Sequence, residues 1–206
     1  MLPSASFLVA ALLLAIVPGP GIAYVVARTV AGGKAEGIAS SMGAAIGGMI
    51  HVFCAAVGLS MLIARSAEAY ALVKYIGAAY LVYLGIRTLA SKAPADGQSA
   101  PLRTGVRKAF QDGIIVEALN VKTALFFLAF IPQFLFADHA LAPQFIVLGT
   151  TCIVLNSTVD LVAVFAAHRV AGAGTAKVAR QRLMTRVSGA TMLVLGVLVA
   201  GANREG

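Results

Sequence analysis

The chain has 206 residues, 60% of them hydrophobic and only 12% charged, with a mean hydropathy of +0.91. A soluble domain carries about a quarter charged residues, so a soluble globular fold is excluded. The formal net charge of +8 would suggest nucleic acid in a soluble protein, but here the basic residues lie in short connections between apolar runs, where they set membrane orientation, and no nucleic-acid motif accompanies them. The expected class is an all-α integral membrane protein.

The first apolar run, Met1 to Ala27, carries no charged side chain, and in its middle stand Pro18, Gly19 and Pro20. About 20 residues at about 1.5 Å rise cross the hydrocarbon layer, so the run is long enough to span. A secretory signal would open with a basic region, whereas the first basic residue is Arg28, so the run reads as retained. Each proline removes a backbone donor and crowds the carbonyl one turn back, freeing polar backbone at a depth where lipid cannot satisfy it. Two readings follow: a plain kink, or a discontinuous helix beside a transport site, the arrangement by which carriers expose backbone to their cargo. Two prolines around a glycine exceed what a bend requires, which favours the second.

Further spans are predicted at Gly37 to Ala64, Ala69 to Ile86, Phe110 to Phe136, Leu141 to Ala167 and Val187 to Asn203, which with Phe7 to Val26 makes six transmembrane helices. The connections are a Gly32-Gly33 turn, a tight Arg65 to Glu68 turn, and a polar segment from Ser91 to Lys108 holding Pro94, Gly97 and Pro101. That segment divides a single polytopic domain, 1–206, into half-repeats of about 1–90 and 109–206 joined by a cytoplasmic loop, 91–108. Three spans per half is an odd number, so the second half enters the membrane inverted relative to the first.

Orientation follows from the basic residues by loop. The odd-numbered connections hold Arg28 and Lys34, then Arg87, Lys92, Arg103, Arg107 and Lys108, then Arg169, Lys177, Arg180, Arg182 and Arg186, while the even connections and termini hold only Arg65 and Arg204. Both termini are therefore expected outside the cytoplasm. His168 to Arg186 reads as an orientation signal or as an amphipathic element on anionic lipid.

In the second span, Gly37, Ser41 and Ala45 recur at four-residue spacing and Gly43 pairs with Gly47. Small residues at this spacing let a neighbouring membrane helix approach closely; Gly47 and Gly48 could also make room for a substrate. His51 is a polar side chain at membrane depth, read equally as a proton-relay member or an interhelical hydrogen bond. Cys54 and Cys152 both fall in apolar runs and read first as small buried apolar residues.

The fourth span brings Glu117, Asn120 and Lys122 into the membrane together. A buried charge costs about 2.5 to 3.5 kcal/mol at the bilayer centre, so these groups should face a cavity or pair, the alternative being that they snorkel to water at the cytoplasmic end. Glu117 and Asn120 share a helix face; Glu117 and Lys122 lie about 140° apart on an ideal helix and are expected to find other partners. Asp160 stands alone in the fifth span, after Asn156, Ser157 and Thr158. A lone membrane carboxyl group suits proton coupling or the binding of a substrate ammonium more than a structural hydrogen bond.

Taken together, Ala-Ile-Val-Pro-Gly-Pro-Gly in the first span, the glycine-rich second span, Tyr-Leu-Val-Tyr-Leu-Gly ending the third, and Asn120, Lys122, Phe126, Phe127, Pro132 and Gln133 in the fourth make the chain resemble the LysE/RhtB family of amino-acid exporters along its whole length. Val121 stands where that family usually has proline, and Glu117 where many members have a neutral polar residue. The resemblance implies six helices in inverted halves and efflux from the bacterial cytoplasm across the inner membrane, driven by the proton-motive force, with protons as coupling ion and no cofactor or enzymatic activity; a homo-oligomer is compatible with it. The substrate expected is a small amino acid or derivative: its carboxylate would meet Lys122, Asn120 and amides around Gly19, flanked by Pro18 and Pro20, and its ammonium Asp160 or Glu117, with Gly48 and His51 nearby. Two competitors follow from the residues. A thiol-disulfide electron carrier would use Cys54 and Cys152, although neither has the basic neighbour that activates a thiol. A metal-cation exporter would need ligands converging from His51, Cys54, Glu117 and Asp160.

Overall fold

The computed structural model describes residues 3–17, 19–65, 67–90, 103–136 and 138–170, with isolated helical positions at 190, 193, 194, 197 and 200. Among the described residues there is no strand, and the helices are α1 (Ala5–Ile16), α2 (Pro20–Gly32), α3 (Lys34–Arg65), α4 (Ala67–Ala90), α5 (Val106–Ala118), α6 (Val121–Ala129) and α7 (Leu141–Val170), with a 3-10 turn at Ile131–Phe134. Lys34–Gly58 and Leu141–Arg169 are long and apolar enough to cross a membrane, and two bent pairs, α1 with α2 at 49° and α5 with α6 and its 3-10 turn at 45°, each qualify as a broken span.

Local chemistry sets these boundaries. The Ser4 side chain accepts from the Phe7 amide and caps α1, while Pro20 occupies the first turn of α2, where its missing N–H removes no helical bond. Gly33, at φ 81°, turns α2 into α3, a backbone conformation that a side chain disfavours. The predicted second, third and fifth spans lie within α3, α4 and α7. The first span is broken as its prolines require, although Pro18 itself lies outside the described residues.

Several expectations change. The run Phe110 to Phe136 is not one helix: it breaks at Leu119 and Asn120, and α5 begins at Val106. Arg107 and Lys108 thus open a helix instead of closing a loop, and Lys108 pairs with Asp112 one turn on, at 2.7 Å. Positions 91–102, 171–186 and all but the five isolated positions of the sixth predicted span fall outside the described residues. Cys54 is exposed rather than buried, because it lies on the outward stripe of α3 with Ile46, Ile50, Phe53 and Val57. This apolar outer face is what a lipid solvent demands.

α3 is the central helix and packs most extensively on α5, α7 and α2. Its small residues allow this. A Cβ on Gly43 would strike the Phe110 backbone, one on Gly47 would come 2.5 Å from the Ile114 carbonyl, and one on Gly113 of α5 would strike the Ser40 carbonyl. From Gly43 with Phe110 to Gly47 with Ile114 both helices advance four residues in the same direction, so α3 and α5 run parallel, backbone against backbone. On the other side Gly37 faces Val164, Gly48 faces Ile153 and Gly149 faces Val52, so α3 and α7 are antiparallel. One end of the core is aromatic: Phe126 stacks on Phe130 at 4.6 Å, and Phe7 meets Phe134 edge-on at 5.2 Å.

Candidate functional site

The two breaks face each other. α1 ends with the Val17 carbonyl, which a continuous helix would have bonded one turn later, and the Lys122 ammonium donates to it at 3.0 Å. A cation at a helix C-terminus is favourably placed, since the peptide dipoles leave partial negative charge there. At the second break Asn120 is extended (φ −77°, ψ 96°) and its side-chain oxygen caps α6 by accepting from the Lys122 amide at 3.1 Å. The other end of the Asn120 amide donates to Glu117 Oε2 at 2.9 Å, and Thr123 Oγ1 donates to Glu117 Oε1 at 2.6 Å. A carboxylate thus rests against the positive end of α6.

These groups are buried: relative exposure is 3% for Glu117, 4% for Asn120, 7% for Lys122 and 2% for Asp160. Both the Glu117 and the Lys122 side chains turn into the protein and bond there, Lys122 to the Val17 carbonyl and Glu117 to Asn120 and Thr123, contrary to the snorkelling alternative. A recess opens among Val17, Gly19, Gly21, Glu117, Lys122 and Asn156, with room for about one water molecule. Gly19 caps α2 with no side chain, leaving the first amides of that helix to the recess. Glycine is required on this wall: a Cβ on Gly19 would lie 2.9 Å from Lys122 Nζ, and one on Gly21 2.5 Å from Glu117 Oε2.

Of the residues expected here, Gly19, Pro20, Glu117, Asn120 and Lys122 come together, with Pro20 as the first residue of α2 behind Gly19. His51 takes the interhelical reading: its Nε2 donates to the Glu117 carbonyl at 2.8 Å. Gly48 does not line the recess, since Ile153 fills the space its side chain would take. Asp160 sits outside the lining, one turn beyond Asn156 on α7. Its Oδ1 has no hydrogen-bond partner among the described residues. Thr123 escapes a sequence reading because it lies six residues from Glu117, about 240° around a continuous helix; only the break brings them together. Asn156 had a signal in its four-residue spacing from Asp160.

A second buried polar cluster ties the end of α2 to the start of α5. Arg28 Nη1 donates to Thr104 Oγ1 at 2.8 Å and lies 3.9 Å from Glu36 Oε2, while Glu36 Oε1 accepts from the Gly105 amide at 3.0 Å. The Arg28 guanidinium also lies over the Tyr24 ring, 5.5 Å from its centroid. The cluster and the aromatic core end therefore flank the recess from opposite ends of the first span.

Broken spans whose helix ends converge on buried charges define an all-helical membrane protein with an intramembrane polar site, an arrangement shared by transporters. A family model described as LysE type translocator matches residues 12–202, and the chain belongs to that family. It is 28% identical over 198 residues to the homoserine/homoserine lactone efflux protein of Salmonella typhimurium, covering 96% of each chain. An uncharacterized membrane protein of Vibrio cholerae serotype O1 is 28% identical over 201 residues, again covering 96% of each. The leucine efflux protein of Salmonella choleraesuis is 32% identical over 149 residues, 71% of this chain and 70% of that protein. No solved structure matches.

Proposed function

We propose that this protein is a secondary active exporter of a small amino acid or close derivative across the bacterial inner membrane, coupled to protons and working by alternating access. The observation that carries this reading is the meeting of two broken spans at a recess holding Lys122, Glu117 and the uncapped start of α2. A zwitterion needs both signs of charge. Its carboxylate is met by Lys122, Asn120 and the free amides after Gly19, as anions are met at helix N-termini, and its ammonium by an acid, Asp160 or Glu117. The efflux functions named for the homoserine and leucine relatives support cargo of this size.

The recess as it stands admits about one water molecule, so an amino acid requires it to open. In this reading six spans form two inverted halves, 1–90 and 109–206, joined by a cytoplasmic loop, with both termini outside, and one half rocks against the other. The aromatic contacts of Phe7 with Phe130 and Phe134 close one side and join the first half to the second, and the bonds from Arg28 and Glu36 to Thr104 and Gly105 close the other and join the first half to the end of the connecting loop. Asp160, with an oxygen that has no partner among the described residues, carries the coupled proton.

The competing readings gain little support. Among the described residues no three His, Cys, Asp or Glu side chains converge as a metal would need. Cys54 is exposed and Cys152 buried, both free thiols, on α3 and α7. The deciding experiment profiles extracellular amino acids from dipeptide-loaded cells expressing the wild type or Asp160→Asn. Faster release of one amino acid, lost in the variant while membrane insertion is kept, is expected. Unchanged release from Asp160→Asn cells would remove Asp160 from the mechanism, and no release by the wild type would remove the exporter reading.

A further inference from the structure

We propose that Glu117 is a positioning residue that holds the second helix break open and locks it to the first, so that the acid answering a substrate ammonium is Asp160 alone. The proposal rests on the exporter reading for its kinetics but not for its structural claim. Both carboxylate oxygens of Glu117 already accept from side chains across the break, Asn120 Nδ2 at 2.9 Å and Thr123 Oγ1 at 2.6 Å. Its carbonyl accepts from the Asn120 amide at 2.9 Å and from His51 Nε2 at 2.8 Å. Each of the carboxylate oxygens keeps a further lone pair, but an ammonium that drew the carboxylate toward itself would stretch two buried bonds that hold the break, a cost that Asp160 does not carry.

The same bonds favour the broken chain over a straight one. On a continuous helix Thr123 would point away from Glu117, so the Thr123 contact exists only in the broken form. The carboxylate also sits against the start of α6 and, through Gly21, directly against the start of α2, where a Cβ would come 2.5 Å from Oε2. Glu117 thus couples the geometry of the two breaks. Asp160 differs in kind: it lies on the unbroken α7, and its Oδ1 is unpartnered among the described residues.

The test uses proline. Val121 is the first residue of α6, the helical position where proline is best tolerated, and Asn120 before it is extended, as a residue preceding proline prefers to be. Val121→Pro should therefore impose covalently the break that Glu117 holds by hydrogen bonds. In proteoliposomes loaded with the amino acid that the wild type releases, Glu117→Ala is expected to lower Vmax about tenfold with KM within about twofold, and Glu117→Ala with Val121→Pro to recover at least about half of the wild-type Vmax. Hydrogen exchange of the Lys122 and Ala124 amides in the full chain should quicken about tenfold in Glu117→Ala and slow again in the double variant. Glu117→Gln, which keeps one acceptor oxygen, carries the same test should the alanine variant not insert, with a fall in Vmax of about threefold. A rise in KM of about tenfold with Vmax kept, or exchange that Val121→Pro does not slow, would overturn the proposal. Should the wild type export nothing, the exporter reading fails alone, and the exchange measurement still decides the role of Glu117.

Discussion

The two broken spans reach nearly the same bend, 49° and 45°, by different chemistry. The first is interrupted through its own covalent structure: Pro18 and Pro20 supply no donors, and Gly19 caps α2 without a side chain. The second contains no proline at the break and is held by side chains, with Asn120 capping α6 and Glu117 accepting from Asn120 and Thr123. Backbone chemistry makes a break that survives whatever surrounds it, whereas side-chain chemistry makes one that depends on burial and can respond to charge. The first break also offers free amides and a free carbonyl, and the second offers the charged groups that meet them. Lys122 joins the two by binding the Val17 carbonyl.

This contrast is open to breaking. Lys122→Met should have the largest effect, because it removes the bond between the breaks and leaves the Val17 carbonyl and the Glu117 carboxylate without a buried cation. Leaving a buried carbonyl unpaired costs about 1 to 3 kcal/mol, and efflux is expected to fall about a hundredfold or more, measured at matched membrane expression.

The two glycines that admit charged groups sharpen the comparison. Gly21→Ala places a Cβ against Glu117 Oε2, on a carboxylate held at both oxygens, and should lower both efflux and melting temperature, with overpacking of about 1 to 3 kcal/mol. Gly19→Ala meets the outer part of the Lys122 side chain, from Nζ at 2.9 Å to Cδ at 3.3 Å. It should displace the ammonium from the Val17 carbonyl, slowing efflux about threefold and lowering the melting temperature by less than Gly21→Ala does. Equal thermal losses in the two variants would show that the breaks are equally rigid. The smallest effect is expected at Gly58 in α3, where an added Cβ would meet none of the described residues within 4 Å. Alanine there gains about 1 kcal/mol of helix propensity and should raise the melting temperature slightly with efflux unchanged.

Much of the fold is readable from residue order. The apolar runs mark α3, α4 and α7, and the glycine spacing of α3 foretells its close crossing with α5. The second break is not readable, since Val121 offers no proline and the run from Phe110 to Phe136 is apolar almost throughout after Lys122. Sequence misplaces Cys54 because an apolar run shows no difference between core and lipid: both solvents accept the same side chains. Gly48 reads as substrate space for a related reason, as a glycine records that something approaches and not whether it is a ligand or Ile153.

By itself the sequence determined the membrane class, the discontinuity of the first span and the presence of buried charge near the second. These follow from properties each residue carries locally: transfer cost, a missing donor, a fixed φ. Only the tertiary structure decided that Lys122 caps α1, that Thr123 and Asn120 occupy Glu117, that His51 is spent on a carbonyl and that Asp160 keeps an oxygen unbonded among the described residues. Those outcomes depend on which donor reaches which acceptor once the helices cross, and a side-chain bond across a break has no period for a linear pattern to reveal.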